Sequence, residues 1–144
     1  MRAFRKALQV SVLAVALAAC RQPSTSDVSL RVTRDHSADT PNSLGYSFTF
    51  TNTSNKTLWF PSCGGVVRPS LDIEVAGQRI DRADGTMCNA SVSSPFVALT
   101  PGAAQSGIGQ VVARSGAYYA PSLLFAQSPS SALQTVGGVG FAAP

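Results

Sequence analysis

Few residues in this sequence could carry out chemistry, and their spacing matches no known catalytic arrangement. The 144-residue chain contains one histidine, three cysteines and seven acidic residues. His36 lies in a polar stretch between Asp35 and Ser37, so any serine–histidine or cysteine–histidine mechanism would depend on that one side chain. No Gly-x-Ser-x-Gly nucleophile motif occurs. The sequence therefore predicts a protein that is not an enzyme and that needs no cofactor.

The N-terminal segment has the pattern of an export signal. Three basic residues lie within positions 2–6, and an apolar run follows from Ala7 to Leu17. This run is too short to cross a membrane as a mature helix, but it suits the hydrophobic part of a secretory signal. We therefore expect a signal helix over residues 1–19 that is absent from the folded domain.

The end of this segment, Leu17-Ala18-Ala19-Cys20, resembles the lipobox of bacterial lipoprotein precursors. The resemblance implies that the chain is cleaved after Ala19 and that Cys20 is lipidated, which anchors the protein in a lipid bilayer. Each buried CH₂ of an acyl chain contributes about 0.8 kcal/mol to anchoring. Arg21 stands where an inner-membrane retention signal usually has Asp, which implies the outer membrane, facing the periplasm. Residues 20–27 would then be the lipidated cysteine and its tether.

The remaining cysteines, Cys63 and Cys88, form an even pair in a chain that we expect to be exported, which favours one disulfide. The chain-entropy model assigns about 3.5 kcal/mol to closing a loop of this length. The alternative is copper binding by a periplasmic carrier, using these thiols with Met87 and His36. The wide spacing of the two cysteines favours the structural disulfide, and we predict no metal site.

The charge distribution argues against a nucleic-acid partner. The net charge is +4, but three of the eleven basic residues belong to the predicted signal. The other basic residues are scattered along the chain and form no basic patch.

Apolar and polar residues alternate with a period of two from residue 28 onward, which predicts strands with one buried and one solvated face. The clearest runs are Val28–Thr33, Tyr46–Thr51 and Leu71–Val75, and in the last run Asp72 and Glu74 share the solvent face. Shorter or less regular runs cover Thr57–Phe60, Gln78–Ile80, Phe96–Leu99, Gln105–Ala113, Ala117–Ala126 and Leu133–Phe141. Pro121 should bend its strand or place it at a sheet edge. We predict one all-β domain over 28–144, an antiparallel sandwich of about seven to nine strands.

This domain resembles bacterial immunoglobulin-like domains, including proteinase inhibitors of the BsuPI type. The resemblance is carried by residues 46–53 leading into 56–60, by the Pro101-Gly102 turn and by the turn at 115–119. It implies an immunoglobulin-like sandwich over about residues 28–141. An exported, disulfide-bonded chain departs from the intracellular inhibitors of that group.

Four side chains are candidate contact residues for a partner. Trp59 is the only tryptophan; we expect it in the core, whereas a shift of one residue in strand register would expose it. Tyr118 and Tyr119 are adjacent in a strand, so one of them must point outward, close to Arg114.

Three functional hypotheses follow. The first is a non-enzymatic envelope lipoprotein that binds another envelope protein, of unknown identity, through a sheet edge or loops. The second is a protease inhibitor that presents the loop Ser62–Arg68, stiffened by Cys63. The third is the periplasmic copper carrier described above.

Overall fold

A computed structural model describes residues 26–85 and 95–144 of the chain. The described residues contain ten strands, and the signal helix predicted for residues 1–19 lies outside them. The strands are β1 (Val28–Arg34), β2 (Ser43–Asn52), β3 (Leu58–Pro61), β4 (Ser70–Val75), β5 (Gln78–Ala83), β6 (Phe96–Leu99), β7 (Ala104–Val112), β8 (Tyr118–Phe125), β9 (Gln134–Gly137) and β10 (Phe141–Ala142). A single 3₁₀ turn, His36–Ala38, lies between β1 and β2. None of the described residues forms a helix long and apolar enough to cross a membrane.

The strands form two antiparallel layers, which confirms the predicted all-β sandwich. The first sheet has the order β1-β2-β7. The second has the order β10-β8-β4-β5, with β9 also paired to β8. Strands β3 and β6 pair with each other, and the backbone of Trp59 joins them to Ala126 at the end of β8 through hydrogen bonds of 2.9 and 2.8 Å.

The core follows directly from the alternation in the sequence. In β1, Val28, Leu30 and Val32 are buried, and the residues that alternate with them up to Thr33 are exposed. Arg34, at the end of the strand, is half-buried. Aromatic rings join the layers; the Phe50 and Phe60 ring centroids, for example, lie 4.9 Å apart. Each fully buried side chain of this size contributes about 1.5–3 kcal/mol through the area it removes from water.

Tyr119 ties β8 to the first sheet through its hydroxyl group. The hydroxyl donates to the carbonyl of Val112 at 2.9 Å and accepts from the N–H of Arg114 at 2.9 Å. The ring is fully buried and stacks on Phe141 at 4.9 Å. A buried tyrosine bonded to backbone a few residues upstream is a hallmark of immunoglobulin-type sandwiches.

The C-terminal run departs from the prediction. One strand was expected over Leu133–Phe141, but β9 and β10 are separate, and Val139 between them crosses to pair in parallel with Arg31 on β1. The glycines on either side permit this crossing, since a Cβ on Gly140 would lie 1.8 Å from a backbone oxygen of Tyr119. The described part of the chain therefore contains ten strands, one more than the upper prediction.

The sheet-edge position considered for Pro121 is wrong, because this residue lies within β8, a central strand of the second sheet. On one side of β8, β10 pairs with Tyr118 and Tyr119, and β9 pairs from Ser122 onward. Pro121 lies at the junction of these two partners, where its ring would contact a Cβ on Gly140 at 2.8 Å. A proline is tolerated there because no ladder hydrogen bond from its nitrogen is required.

Two turns of the sandwich have well-defined types. Ala76 and Gly77 join β4 to β5 with φ values of 51° and 76°, the positive pair of a type I′ hairpin turn. Gly102 has φ 78° after Pro101, and the N–H of Ala103 donates to the carbonyl of Thr100 at 3.0 Å, as in a type II turn.

Candidate protein-docking edge

Strand β7 forms one border of the first sheet, and no strand among residues 26–85 and 95–144 pairs with its outer side. Just beyond its end, the N–H of Ala113 donates to the carbonyl of Asn42, on the β2 side. Because backbone groups alternate in direction along a strand, odd-numbered residues of β7 point to β2 and even-numbered ones point outward. The outward-pointing N–H groups include those of Ser106, Ile108 and Gln110.

This border lacks the features that usually protect an edge strand from pairing. Natural edges carry charges, prolines or bulges that discourage the addition of another strand. Between Ala104 and Val112, β7 contains no charge and no proline, and its register with β2 is unbroken over nine residue pairs. Ile108 is 62% exposed in the middle of the strand. The strand is therefore available in form and composition for pairing.

Two glycines of β7 allow aromatic rings of β2 to extend toward the outer edge. Gly107 pairs with Phe48 and Gly109 pairs with Tyr46. A Cβ on Gly107 would lie 2.6 Å from Cζ of Phe48, and one on Gly109 would lie 2.5 Å from the Tyr46 hydroxyl oxygen. The rings thus occupy the space that side chains on β7 would otherwise fill.

A tight turn between β3 and β4 faces the same edge. The N–H of Cys63 donates to the carbonyl of Val66 at 2.9 Å, and the return bond is 3.1 Å. Gly64 and Gly65 between them have φ values of 59° and 85°, which favour glycine at both positions. The turn leaves Val66 half-exposed, while the side chain of Val67 is buried in the core.

The space between this turn and β7 is called the β7 groove. It consists of two adjoining clefts of about 280 and 340 Å³ that share Arg68 and Ile108. The first cleft is also lined by Phe48, Val66 and Val67, and the second by residues 109–110 of β7. The groove therefore has an apolar part and a polar part, with β7 along its length.

One positively charged side chain lines both parts of the groove. Arg68 is the one charged residue among the described residues that line the two clefts. Burial raises the pKa of the Tyr46 hydroxyl, and the positive charge of Arg68 opposes part of that rise. Gln105 also lines the groove, and its Oε1 atom is buried with no hydrogen-bond partner among the described residues. The groove lining thus contains one cationic side chain and one buried amide oxygen.

The candidate contact residues chosen from the sequence lie elsewhere. The expected core position of Trp59 is wrong, because Leu58 and Phe60 are the fully buried residues of β3 and Trp59 lies half-buried on the other face. As predicted, one of the paired tyrosines points outward: Tyr118 is 40% exposed and Tyr119 is buried. The Tyr118 hydroxyl accepts a 3.1 Å bond from the N–H of Gly140.

Arg114 is about half-exposed and takes part in a surface charge network rather than an apolar contact site. One of its terminal nitrogens lies 4.0 Å from a carboxylate oxygen of Asp81. Asp72, on the outer face of β4, is held by Arg82 at 2.9 Å and approached by Arg79 at 3.8 Å. Exposed pairs of this kind contribute little to stability, and their charges are mutually compensated.

The predicted lipid and thiol sites cannot be placed. Cys20 and Cys88 both lie outside the described residues, so the lipidation and the Cys63–Cys88 pairing stay predictions. His36 is 78% exposed and contacts Asp39 at 3.4 Å. Within residues 26–85 and 95–144, no three histidine, cysteine or acidic side chains come together as a metal site would require.

Comparison with known proteins bears on the fold alone. No protein-family model and no curated protein matches the chain. The crystal structure of a Bordetella pertussis protein provisionally assigned as ApaA superposes with a TM-score of 0.52 at 12% identity, covering 81% of this chain and 89% of that one. A second solved structure, a Northeast Structural Genomics Consortium target, gives a TM-score of 0.48 at 14% identity over 81% and 83% of the two chains. At 12% identity, the similarity to the Bordetella pertussis structure supports the β-sandwich architecture and gives no information about activity.

Sequence reasoning missed the β7 edge as a specific site. The signals were present: Gln105–Ala113 contains no charged residue, and Gly107 and Gly109 alternate with Ser106, Ile108 and Gln110. Whether such a strand is central or at a border depends on strand order, and the sequence does not determine strand order.

Proposed function

We propose that the chain is a non-enzymatic lipoprotein of the cell envelope whose β-sandwich binds another envelope protein at the outer edge of β7. In this mode an extended segment of the partner adds as a fourth strand to the first sheet. Main-chain hydrogen bonds supply affinity, and alternate side chains of the segment enter the groove. The observation that carries the proposal is the uncharged nine-residue border strand beside the β7 groove.

The predicted anchor is compatible with access to this edge. The described chain begins at Ser26, whose carbonyl accepts a 2.6 Å bond from the Thr53 hydroxyl in the turn after β2. Strand β7 starts near this end of the sandwich, since its first residue Ala104 pairs with Thr51, and it runs away from it. If Cys20 is lipidated, a short tether joins this end of the domain to the membrane. Strand β7 then runs away from the anchored end, and its outer edge stays accessible to a partner.

Lipidation has its own test, independent of partner binding. Replacing Cys20 by Ala should release the protein from the membrane fraction or block its processing. A Cys20→Ser variant serves as the closest isostere and should behave in the same way. Unchanged membrane fractionation of both variants would contradict the anchor.

The disulfide is tested by thiol labelling. We propose that Cys63 and Cys88 pair after export, so neither should react with maleimide until a reductant is added. Cys63→Ser should expose a reactive thiol at position 88, and Cys88→Ser should do so at position 63. Full labelling of the oxidised wild-type protein would contradict the pairing.

We place protease inhibition second. The loop Ser62–Arg68 folds into the wall of the β7 groove through the Cys63–Val66 turn, and the side chain of Val67 is buried. An inhibitory segment needs several consecutive side chains presented to a protease, and here only alternate ones are exposed. Inhibition of a panel of serine and cysteine proteases at micromolar concentrations would favour this alternative over strand addition.

Docking at β7 is tested by photo-crosslinking in living cells from matched positions. A photoreactive amino acid replaces Val66 on the groove wall, which is 50% exposed. The control position is Leu133, which precedes β9 and is 51% exposed. The same experiment is repeated with Ser106→Pro, which removes an outward N–H, and with Ser106→Ala, which keeps that N–H. Both substitutions lose the 2.7 Å contact between the hydroxyls of Ser106 and Thr49. Any difference between the two variants therefore reports on the outward N–H and on strand pairing at the edge.

The proposal expects one crosslinked product of defined mass from position 66. That product should be absent from position 133, lost with Ser106→Pro and retained with Ser106→Ala. Identical products from positions 66 and 133, or a product that survives Ser106→Pro, would contradict docking at this edge.

A further inference from the structure

We infer that the β7 groove selects extended segments in which an acidic residue stands two positions from an apolar residue. This inference rests on the proposed docking at β7 and specifies the chemistry of the partner. It follows from how an added strand would align its side chains with the two parts of the groove.

The alignment is fixed by strand geometry. A strand paired to the outer edge of β7 places alternate side chains on the core-facing side, opposite the core-facing residues of β7. In the middle of β7 those residues are Gly107 and Gly109, which have no side chains of their own. The two opposing side chains of the added strand therefore meet the rings of β2 and the turn after β3.

The position opposite Gly107 favours an apolar side chain. The cleft there is lined by the ring of Phe48 and by Val66 and Val67. Val66 is half-exposed in the free protein, so covering it removes apolar surface from water. Ile108, although its side chain is on the other face, extends the apolar border along the same edge.

The position opposite Gly109 favours a carboxylate. Gln110 lines this cleft and Arg68 lines both clefts, and the charge of Arg68 acts on the Tyr46 hydroxyl beside Gly109. The Tyr46 hydroxyl lies beside Gly109, so a carboxylate entering here meets a cation and a hydroxyl donor. In an antiparallel strand, the acidic residue precedes the apolar one by two positions.

The test measures the affinity of short peptides by fluorescence anisotropy with the protein purified from cells expressing the full chain. The reference probe is a fluorescein-labelled peptide of sequence Thr-Thr-Asp-Thr-Val-Thr-Thr with an amidated C-terminus. Matched probes replace the Asp by Asn or Lys, or replace the Val by Ser. Protein variants Arg68→Gln and Arg68→Lys separate the charge at position 68 from its other contacts, and denaturant midpoints verify that both variants fold.

We expect the Asp peptide to bind about fivefold more tightly than the Asn peptide, as one partly exposed ion pair allows. The Lys and Ser peptides should bind more weakly than the Asn peptide. Arg68→Gln should remove the preference for Asp, so that this variant binds the Asp and Asn peptides with equal affinity, and Arg68→Lys should keep part of the preference. Higher salt should reduce the preference by screening.

Equal affinity for the Asp and Lys peptides would overturn the inference, as would a preference for Asp that survives Arg68→Gln. The inference also fails if no peptide binds while the crosslink from position 66 is still lost with Ser106→Pro. In that case docking at the β7 edge stands, and the recognised chemistry is different.

Discussion

The ring of Phe48 lies so close to Gly107, its partner on the neighbouring strand, that an added Cβ would come within 2.6 Å of Cζ. This contact links two features of the molecule that the sequence presents separately, an aromatic strand and a glycine-containing strand. Because the ring is 4% exposed and held in the core, it has little freedom to move aside. The absence of a side chain at position 107 is therefore required for the packing of β2 and for the shape of the groove.

Gly107→Ala should destabilise the protein by about 1–3 kcal/mol, the range typical of overpacking a core contact. The measurement is the free energy of unfolding from urea titration followed by circular dichroism. Ser106→Ala, one residue away on the exposed face, should change it by less than about 0.5 kcal/mol. Equal effects of the two substitutions would show that the ring moves aside at no cost.

Asn52 should be among the most sensitive polar positions in the domain. Its side chain is fully buried, donates to the carbonyls of Lys56 and Leu99 at 2.7 and 2.8 Å, and accepts from the N–H and hydroxyl of Ser54. Asn52→Ala leaves a buried carbonyl without a donor, so we expect a loss of about 2–4 kcal/mol. Asn55→Ala, in the same turn but exposed, is the control and should be close to neutral in denaturant titration.

Asp39 should make stability depend on pH below about 4. Its carboxylate accepts from Arg34 at 2.9 Å and from the N–H of Gly45 at 2.7 Å, and the Arg34 bond is the main cause that holds its pKa well below the ordinary value. A depressed folded-state pKa means that the carboxylate stabilises the fold above its ordinary pKa and that this contribution is lost as the pH falls toward the folded-state value.

The test compares urea midpoints at pH 6 and pH 2.5. The wild-type midpoint should fall more between these pH values than that of Asp39→Asn, which has already lost the contribution at pH 6. Glu74→Gln, on the outer face of β4, serves as the control and should fall like the wild type. Parallel falls for all three proteins would show that Asp39 contributes nothing to acid sensitivity.

A substitution in the hairpin between β4 and β5 should increase the stability of the domain. Ala76 is the one non-glycine among the described residues with a positive φ, 51°, a conformation that costs an L-residue about 1 kcal/mol or more. Asn tolerates this conformation and suits the first position of a type I′ turn before Gly77. Ala76→Asn should raise the denaturant midpoint by the equivalent of about 0.5–1 kcal/mol, whereas Gly77→Ala should lower it; a lower midpoint for Ala76→Asn would contradict this account of the turn.

The sequence predicted the positions of the strands well, but it predicted their order in the sheets and the facing of individual side chains poorly. Alternation located nine of the ten strands and the buried faces of β1 and β2, because a period of two is a local property. The facing of Trp59 was predicted wrongly, since β3 is only four residues long and its alternation does not fix which face is inside. An edge position was considered for Pro121, but the junction of β9 and β10 accommodates it in a central strand.

The groove could not be predicted for the same reason. Phe48 lies on β2, whereas Val66 and Arg68 lie in the connection between β3 and β4, and their meeting at β7 depends on strand order. The sequence did supply its components: a charge-free strand, two glycines in alternation, and a Gly64-Gly65 turn.

The central claim is that the outer edge of β7 is free to accept a strand, and hydrogen exchange at that edge tests it most directly. We predict that the amides of Ser106, Ile108 and Gln110 exchange rapidly in the free protein, while those of Gly107 and Gly109, which face β2, are protected. Addition of a saturating concentration of the Asp peptide described above, or of the partner identified by crosslinking from position 66, should slow exchange at the three even-numbered positions. Protection of these three amides in the free protein would contradict the account, as would exchange rates that neither ligand changes.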